Sequence, residues 1–320
     1  MERYAPAYTV SDAIVLLSAD ITETIAGSPV LRSLESRPDI CKTSLVRSIH
    51  ASLAIEGSHL SLGNVEDILD GRKDVPAAEN EVKDVESLYQ AYKMIGSFDP
   101  YSLSDLQEIS SVVSTGAFRS TSGAIYNRDV RIFKTPPPQE ISSRLTALFD
   151  WMACSRDSVH PLVLSSVAHR ELFRLYPFAE GNGCVARLWQ KALLAEWKLL
   201  FKHAPLESEV FRGMDDYYTC FTVETVKFVE FILKRVKQAL DWTEKQIPEQ
   251  TVFQNGAIKK LLDVMAPGVQ YTALQLMDML GLKSRSSFLR RYIEPAVENG
   301  SIMMGIPNKP TSRNQTYLKT

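Results

Sequence analysis

The chain has 320 residues, 45% of them hydrophobic, with 36 basic and 38 acidic side chains and a net charge of −2. That balance predicts soluble globular structure in two or three domains and excludes a disordered chain. No apolar run approaches the roughly 20 residues of a membrane helix, the opening MERYAPAYTV does not read as a signal peptide, and Cys41, Cys154, Cys184 and Cys220 lack CxxC or zinc-ligand spacing. Free thiols, a cytoplasmic setting and no membrane partner are expected.

In chain order, residues 10–34 and 42–57 carry apolar side chains at three- and four-residue spacing, which predicts helices. The second includes Leu45, Ile49, Leu53 and Ile55 and stops at Gly57. SLGNVEDILDG predicts a short helix after Ser61, ENEVKDVESLYQAYKMI an amphipathic one, and SLSDLQEISSVV another beyond Pro100. The period then changes. GAFRSTSGAIYNRDVRIFKTPPP alternates and is broken by Gly116, Gly123 and three prolines, which predicts a hairpin or flap. Helices resume through EISSRLTALFDWMA, HPLVLSSVAHRELFRLY, GCVARLWQKALLAEW and TVKFVEFILKRVKQALDWTEKQ.

Polar text containing Pro248 reads as a linker over 247–255. Beyond it AIKKLLDVMA, TALQLMDMLGL and SRSSFLRRYIEPAVENG predict three short helices, and SIMMGI with QTYLKT predicts a hairpin. This is the pattern of a winged helix with FLRRYI in the recognition-helix place. Residues 251–320 hold nine Lys or Arg against four Asp or Glu, so the excess positive charge sits in the tail. The expected class is mainly α, with an N-terminal helical region over 1–100, a helical core with a β-hairpin flap over 101–246, and a winged-helix domain over 251–320.

The segment LYPFAEGNGCVARLW, 175–189, combines features of a phosphate cradle. Pro177 ends the preceding helix near Tyr176. Gly181, Asn182 and Gly183 can turn with positive φ and gather backbone N–H groups, and a helix N-terminus follows. Arg187, about one turn inside, can reach back to an anion, and Glu180 stands where Mg2+ on a phosphate would need a carboxylate. The alternative is a plain helix–turn–helix junction with a solvated Glu and a surface Arg.

YPFAEGNGCVAR resembles the signature of the Fic family, His-Pro-Phe-x-(Asp/Glu)-Gly-Asn-Gly-Arg-x-x-Arg, matching seven of its nine specified positions. The resemblance runs over residues 40–240. HPLVLSSVAHRELF resembles the helix leading into the motif, and 116–138 resembles the flap. The resemblance implies a Fic-type fold that binds ATP or ADP with Mg2+ and descends from enzymes transferring AMP to a Ser, Thr or Tyr hydroxyl of a target protein. By position it implies that Glu180 holds Mg2+, that Gly181, Asn182 and Gly183 form the anion hole, that Arg187 holds the terminal phosphate and that Phe178 packs beneath the loop. The flap, with Tyr126, Val130 and Ile132, would align a target strand. SLAIEG resembles the family's inhibitory motif, with Ser52, Glu56 and Gly57 in the specified places and Glu56 pairing with Arg187.

Two positions depart from the signature. Tyr176 stands in the place of the general-base His, and Cys184 in that of the first Arg. An ordinary phenol, pKa ~10, is a poor proton acceptor at neutral pH. Tyr176 reads first as a phenol that shapes the loop, then as an acceptor of a nucleotidyl group, and last as an activated base. Cys184 reads as a tolerated small residue ahead of a redox-sensitive thiol, and His169 as a core residue. In the tail, Lys283, Arg285, Arg290, Arg291, Lys309 and Arg313 are candidates for DNA phosphate contact, with one of Arg290 and Arg291 facing inward. A restrained transferase and a non-catalytic nucleotide-sensing or DNA-linked regulator with a protein partner both stand, and a homodimer is compatible with either.

Overall fold

The computed structural model describes residues 4–319 except 73, 128–129, 247–248, 299, 308–311 and 313–314. It divides into two compact units, residues 1–244 and 245–320. The first is helical apart from one hairpin, and none of its described helices is long and apolar enough to cross a membrane.

The Asp12–Gly27 helix starts on Ser11, whose hydroxyl accepts the Ile14 amide, and breaks at Ser28 because Pro29 opens a new four-residue helix. A single helix across 10–34 is therefore replaced by two. The next long helix, Pro38–Ile55, begins earlier than its apolar spacing indicates, again with proline at its first position. Glu56 caps it and Gly57 takes φ +99°, letting the Ser58 amide close back on the Leu53 carbonyl at 3.0 Å.

The centre of this unit is the pair Pro161–Leu175 and Asn182–Trp197, joined by the 176–181 loop. In the second of these, every residue from Asn182 to Ala195 is buried. A helix covered on all sides needs neighbours all round. Pro38–Ile55, Glu79–Lys93 and Leu103–Val113 are among them. Ser44, Ser48 and Ser52, four residues apart and almost fully buried, give the Pro38–Ile55 helix a face of small side chains. That face admits the long Lys191 and Arg187 side chains of its neighbour. Ser48 meets Lys191, Ser52 meets Arg187 and Glu56 meets Gly183, so the two helices run antiparallel in a four-residue register.

The predicted flap is an antiparallel hairpin, β1 (Ala124–Asn127) and β2 (Val130–Lys134), with Ala124 opposite Lys134 and a bulge at Ile125/Tyr126. Its base is tied by Thr135, whose amide and hydroxyl both donate to the Gly123 carbonyl. Phe133 anchors it edge-on against Phe173.

The second unit contains Glu249–Val264, Ala273–Met279, Arg285–Phe288 and Glu294–Glu298 as helices. Its antiparallel sheet has the order β3 (Gln270–Thr272), β5 (Thr316–Lys319), β4 (Ile302–Met304). Leu261, Leu276, Phe288 and Ala296 form the centre of its core. The polar stretch read as a linker is helical from Glu249 onward, since polar composition does not by itself oppose a helix. The third predicted helix is interrupted by a π turn at Leu289–Ile293. Pro295 has no amide hydrogen to give to the Arg291 carbonyl, and the turn before it widens.

Candidate functional site

The loop before the buried helix is held in an uncommon shape. Tyr176 has φ +47° and ψ +58°, the one non-glycine with positive φ among the described residues, a conformation costing about 1–2 kcal/mol. Arg119 holds it there. Its Nε donates to the Tyr176 carbonyl at 2.6 Å, and Nη2 donates to Pro136 at 2.7 Å and Leu175 at 3.3 Å. Nη1 donates to Thr121 at 2.8 Å, so one side chain joins the helix end, the loop and both sides of the flap base. The strip 117–119 also pairs with 177–179 through Arg119 N–H to Pro177 and Ala179 N–H to Ala117, and Phe178 lies buried with its ring stacked on Phe118.

The Asn182 side chain shapes the loop as well. Its amide oxygen accepts the Phe178 N–H at 2.9 Å and its nitrogen donates to the Phe178 carbonyl at 2.8 Å. Of the Gly-Asn-Gly turn only Gly181 takes positive φ, +75°, because the helix already begins at Asn182. Gly183 is needed for another reason. A Cβ there would collide with the Glu56 carboxylate.

Glu56 therefore lies directly against the first turn of the helix. Its Oε1 accepts from Arg187 Nη2 at 2.8 Å. Arg187 is 2% exposed, with Nε bonded to Ser52 Oγ at 3.0 Å and Nη2 to the Ser52 carbonyl at 2.9 Å. Nη1 has no hydrogen-bond partner among the described residues. Burial, the largest single influence, would ease the proton off Arg187. The Glu56 charge, with smaller help from Cys184, Tyr217 and the hydrogen bond to Glu56, outweighs it and holds the pKa well above the ordinary value. Cys184 is buried beside this pair, its Sγ 3.8 Å from the Ser52 carbonyl. Burial pushes its pKa up to about 11, so the thiolate that a redox-sensitive cysteine needs is disfavoured.

In front of the pair is a cleft of about 180 Å³ lined by Glu56, Asp84, Ser114, Glu180 and Gly181, among others. Glu180 is exposed at its rim and receives a 3.4 Å contact from Ser114 Oγ. Burial raises the Asp84 pKa, and the Glu180 charge adds to the rise. The Tyr176 phenol is half-buried. Burial, then the Glu56 charge, raises its pKa, so the environment works against an activated base. His169 is deep in the core, with Nδ1 2.6 Å from Gln190 and Nε2 2.9 Å from Tyr217, and burial takes its pKa down to about 3.

The structure brings Ser52, Glu56, Gly183 and Arg187 together and leaves Glu180 at the rim. In the hairpin, Tyr126 is exposed, Ile132 is partly buried and Val130 lies in β2. In the second unit Lys283, Arg285, Arg290 and Arg291 are all exposed, which corrects the expectation that one of the paired arginines faces inward: the π turn presents both to solvent. Lys309 and Arg313 lie outside the described residues. Residue-by-residue reading missed Arg119, whose partners are backbone carbonyls with no sequence signal. It also missed Lys191, which is buried with Glu207 at 3.0 Å and bonded to Ser48 Oγ at 3.0 Å.

Residues 98–194 match the Fic/DOC family model, and residues 256–320 match the model of the Filamentation induced by cAMP protein Fic-like C-terminal domain. A crystal structure of a Fic family protein from Desulfovibrio desulfuricans G20 superposes with a TM-score of 0.71 at 30% identity, covering 99% of this chain and 98% of that one. The chain belongs to the Fic family. A Fic domain containing signaling protein from Bacteroides thetaiotaomicron shares the fold at 17% identity and TM-score 0.56, over 74% of this chain and 99% of that one. Among curated Fic relatives, protein adenylyltransferase Fic of Nematostella vectensis is 27% identical over 164 residues, 48% of this chain. Protein adenylyltransferase fic-1 of Caenorhabditis elegans is 27% identical over 150 residues, 44% of this chain. The chain spans 38% and 30% of the lengths of these two Fic proteins.

Proposed function

We propose that the chain is a nucleotide-binding regulatory protein descended from protein adenylyltransferases. It takes ATP or ADP with Mg2+ at the Gly181–Arg187 turn, is restrained by Glu56, and transfers AMP to a protein hydroxyl at most slowly. The carrying observation is the Glu56–Arg187 contact against Gly183. A carboxylate sits at a helix N-terminus, where an anion is favoured, and competes with a terminal phosphate by charge and by space. The unpartnered Nη1 of Arg187 supplies a donor that a phosphate oxygen could use. With Glu56 in place the remaining 180 Å³ is below the roughly 300 Å³ at which small-molecule pockets begin, so entry of a triphosphate requires Glu56 to move.

Mg2+ fits the rim. Among the described residues no three groups form a metal cluster, so Glu180 would share the ion with nucleotide oxygens. The carboxylate repulsion felt at Asp84 is what a divalent cation relieves. When bound, the ion would neutralise phosphate charge. The chain's own groups limit the transfer. Tyr176, with its pKa raised above 10, stays protonated at pH 7 and does not take the acceptor's proton. That loss removes most of a contribution typically worth about 10²–10⁴-fold. Cys184, uncharged in the place of the first motif Arg, forfeits about 10²–10³-fold more. The exposed edge of the hairpin would still receive a target segment by strand addition.

The test is incubation with α-labelled ATP and Mg2+. Three chains are compared: wild type, Glu56→Gly, and Glu56→Gly with Tyr176→His and Cys184→Arg. The reading expects protein labelling from the third alone and a nucleotide-dependent thermal shift from Glu56→Gly onward. Strong labelling by Glu56→Gly alone overturns the disabled site, and absence of any shift overturns nucleotide binding.

A second activity rests on the tail. We propose that the 245–320 unit, with its helix–strand–helix–helix–strand–strand order, is a winged helix that meets DNA phosphates through the exposed Lys283, Arg285, Arg290 and Arg291. Binding of duplex DNA that weakens steeply with salt supports it. Binding unchanged in Arg290→Ala/Arg291→Ala argues against it.

A further inference from the structure

The Pro38–Ile55 helix also borders an opening larger than the one at the phosphate turn. A cleft of about 390 Å³ lies between the first turns of that helix, the C-terminal end of Glu79–Lys93 and the Lys202–His203 segment. Its size falls within the range of small-molecule sites, about 300–1,000 Å³. We propose that this cleft binds a small anion carrying a flat ring, such as an aryl phosphate monoester, with the ring against Tyr89 and Tyr92 and the anion on Lys202 and Lys93.

Tyr89 and Tyr92 both line the cleft. Tyr92 is buried, and its hydroxyl is committed to Glu207 at 2.8 Å. The ring of Tyr89 lies half-buried in the wall, with the Lys93 ammonium 5.2 Å from its centroid. Three lysines line the cleft against a single carboxylate, Asp70, which is taken by Lys42 at 2.7 Å. The charges of Lys93 and Lys202 have no carboxylate partner in that lining. Lys202 is fixed in place. Its Nζ donates to the Ile95 carbonyl at 2.7 Å and the Lys93 carbonyl at 3.5 Å, which uses two of an ammonium's three donors and leaves one for a ligand.

His203 reports the sign of the potential. Burial lowers its pKa to about 4, and the charges of Lys191 and Lys202 push the same way. The imidazole is neutral at pH 7, with one donor and one acceptor nitrogen, and belongs to the cleft lining. An anion beside Lys202 acts in the opposite sense and raises the His203 pKa. Apolar surface for a ring, two cations and a neutral polar group thus converge on one opening.

The test uses the full chain, with phenyl phosphate as the probe and inorganic phosphate as its ringless counterpart. The His203 ring protons, assigned with His203→Gln, are followed by NMR across a pH titration. Phenyl phosphate should raise the His203 pKa and bind about tenfold or more tighter than inorganic phosphate, a difference of about 1.4 kcal/mol. Tyr89→Ala and Lys202→Gln should each weaken it at least as much, with Lys93→Gln standing in if Lys202→Gln does not fold. Unmoved His203 signals at millimolar phenyl phosphate overturn the site. Equal binding of the two anions overturns the role of the ring, and undiminished binding in both variants overturns the location. None of these residues lies at the phosphate turn, so Glu56→Gly leaves this titration unchanged whatever it does to nucleotide binding there.

Discussion

Arg187 and Lys191 stand one turn apart on the same helix, and each is 2% exposed. Each donates to a serine of the Pro38–Ile55 helix, and each has a carboxylate. The difference is in the carboxylates. Glu207, beside Lys191, is 1% exposed, while the side chain of Glu56, beside Arg187, is 30% exposed and belongs to the residue that ends its helix. A buried charge whose partner cannot leave is a fixed fastening. A buried charge whose partner reaches solvent is a place where another anion can enter.

The sharpest way to break the comparison is to remove the fixed carboxylate. Glu207→Ala leaves the Lys191 ammonium buried and unpaired and should cost about 3–5 kcal/mol in urea unfolding. Combining it with Lys191→Met should recover part of that loss.

Gly183→Ala should cost about 1–3 kcal/mol, since the new methyl meets the Glu56 carboxylate. Because the same methyl lies in the anion's place, it should also abolish the nucleotide thermal shift of the Glu56→Gly chain.

Acid separates the two neighbourhoods through their histidines. His169 is taken down to about 3 and His203 to about 4, against an ordinary value of about 6.5. The unfolded chain therefore binds more protons below about pH 6.5, and the stability from a neutral His169 is complete above that value. Between pH 6.5 and 5 its loss should reach about 2 kcal/mol, and His169→Gln should flatten that part of the urea midpoint–pH curve.

Glu56→Gly should be the mildest, about 1–2 kcal/mol, between the values for exposed and buried pairs. A loss as large as that of Glu207→Ala would make the two pairs equivalent and remove the distinction.

The helical class and the hairpin were legible because apolar spacing and proline and glycine breaks report local geometry. The Gly-Asn-Gly turn between the two central helices was legible because its residue types sit consecutively. What escaped depends on contacts between distant segments. Arg119 holds the Pro136 and Leu175 carbonyls, and Lys191 meets Ser48 and Glu207, each partner at least sixteen residues away in the chain. Gly183 was legible as a residue but not for its reason, which is the approach of Glu56 rather than a positive φ. The helix from Glu249 escaped because polar composition beside Pro248 reads as a loop, although polar residues are equally compatible with a helix.

The four-residue register of Ser48, Ser52 and Glu56 has a hereditary side. Deleting or inserting one residue between Ser48 and Glu56 would rotate everything beyond it by about 100°. The carboxylate would then swing away from the arginine while the amino-acid composition stayed nearly the same. Descendants of this protein can therefore exchange many side chains along that helix, yet its length between those points is the trait they have to transmit.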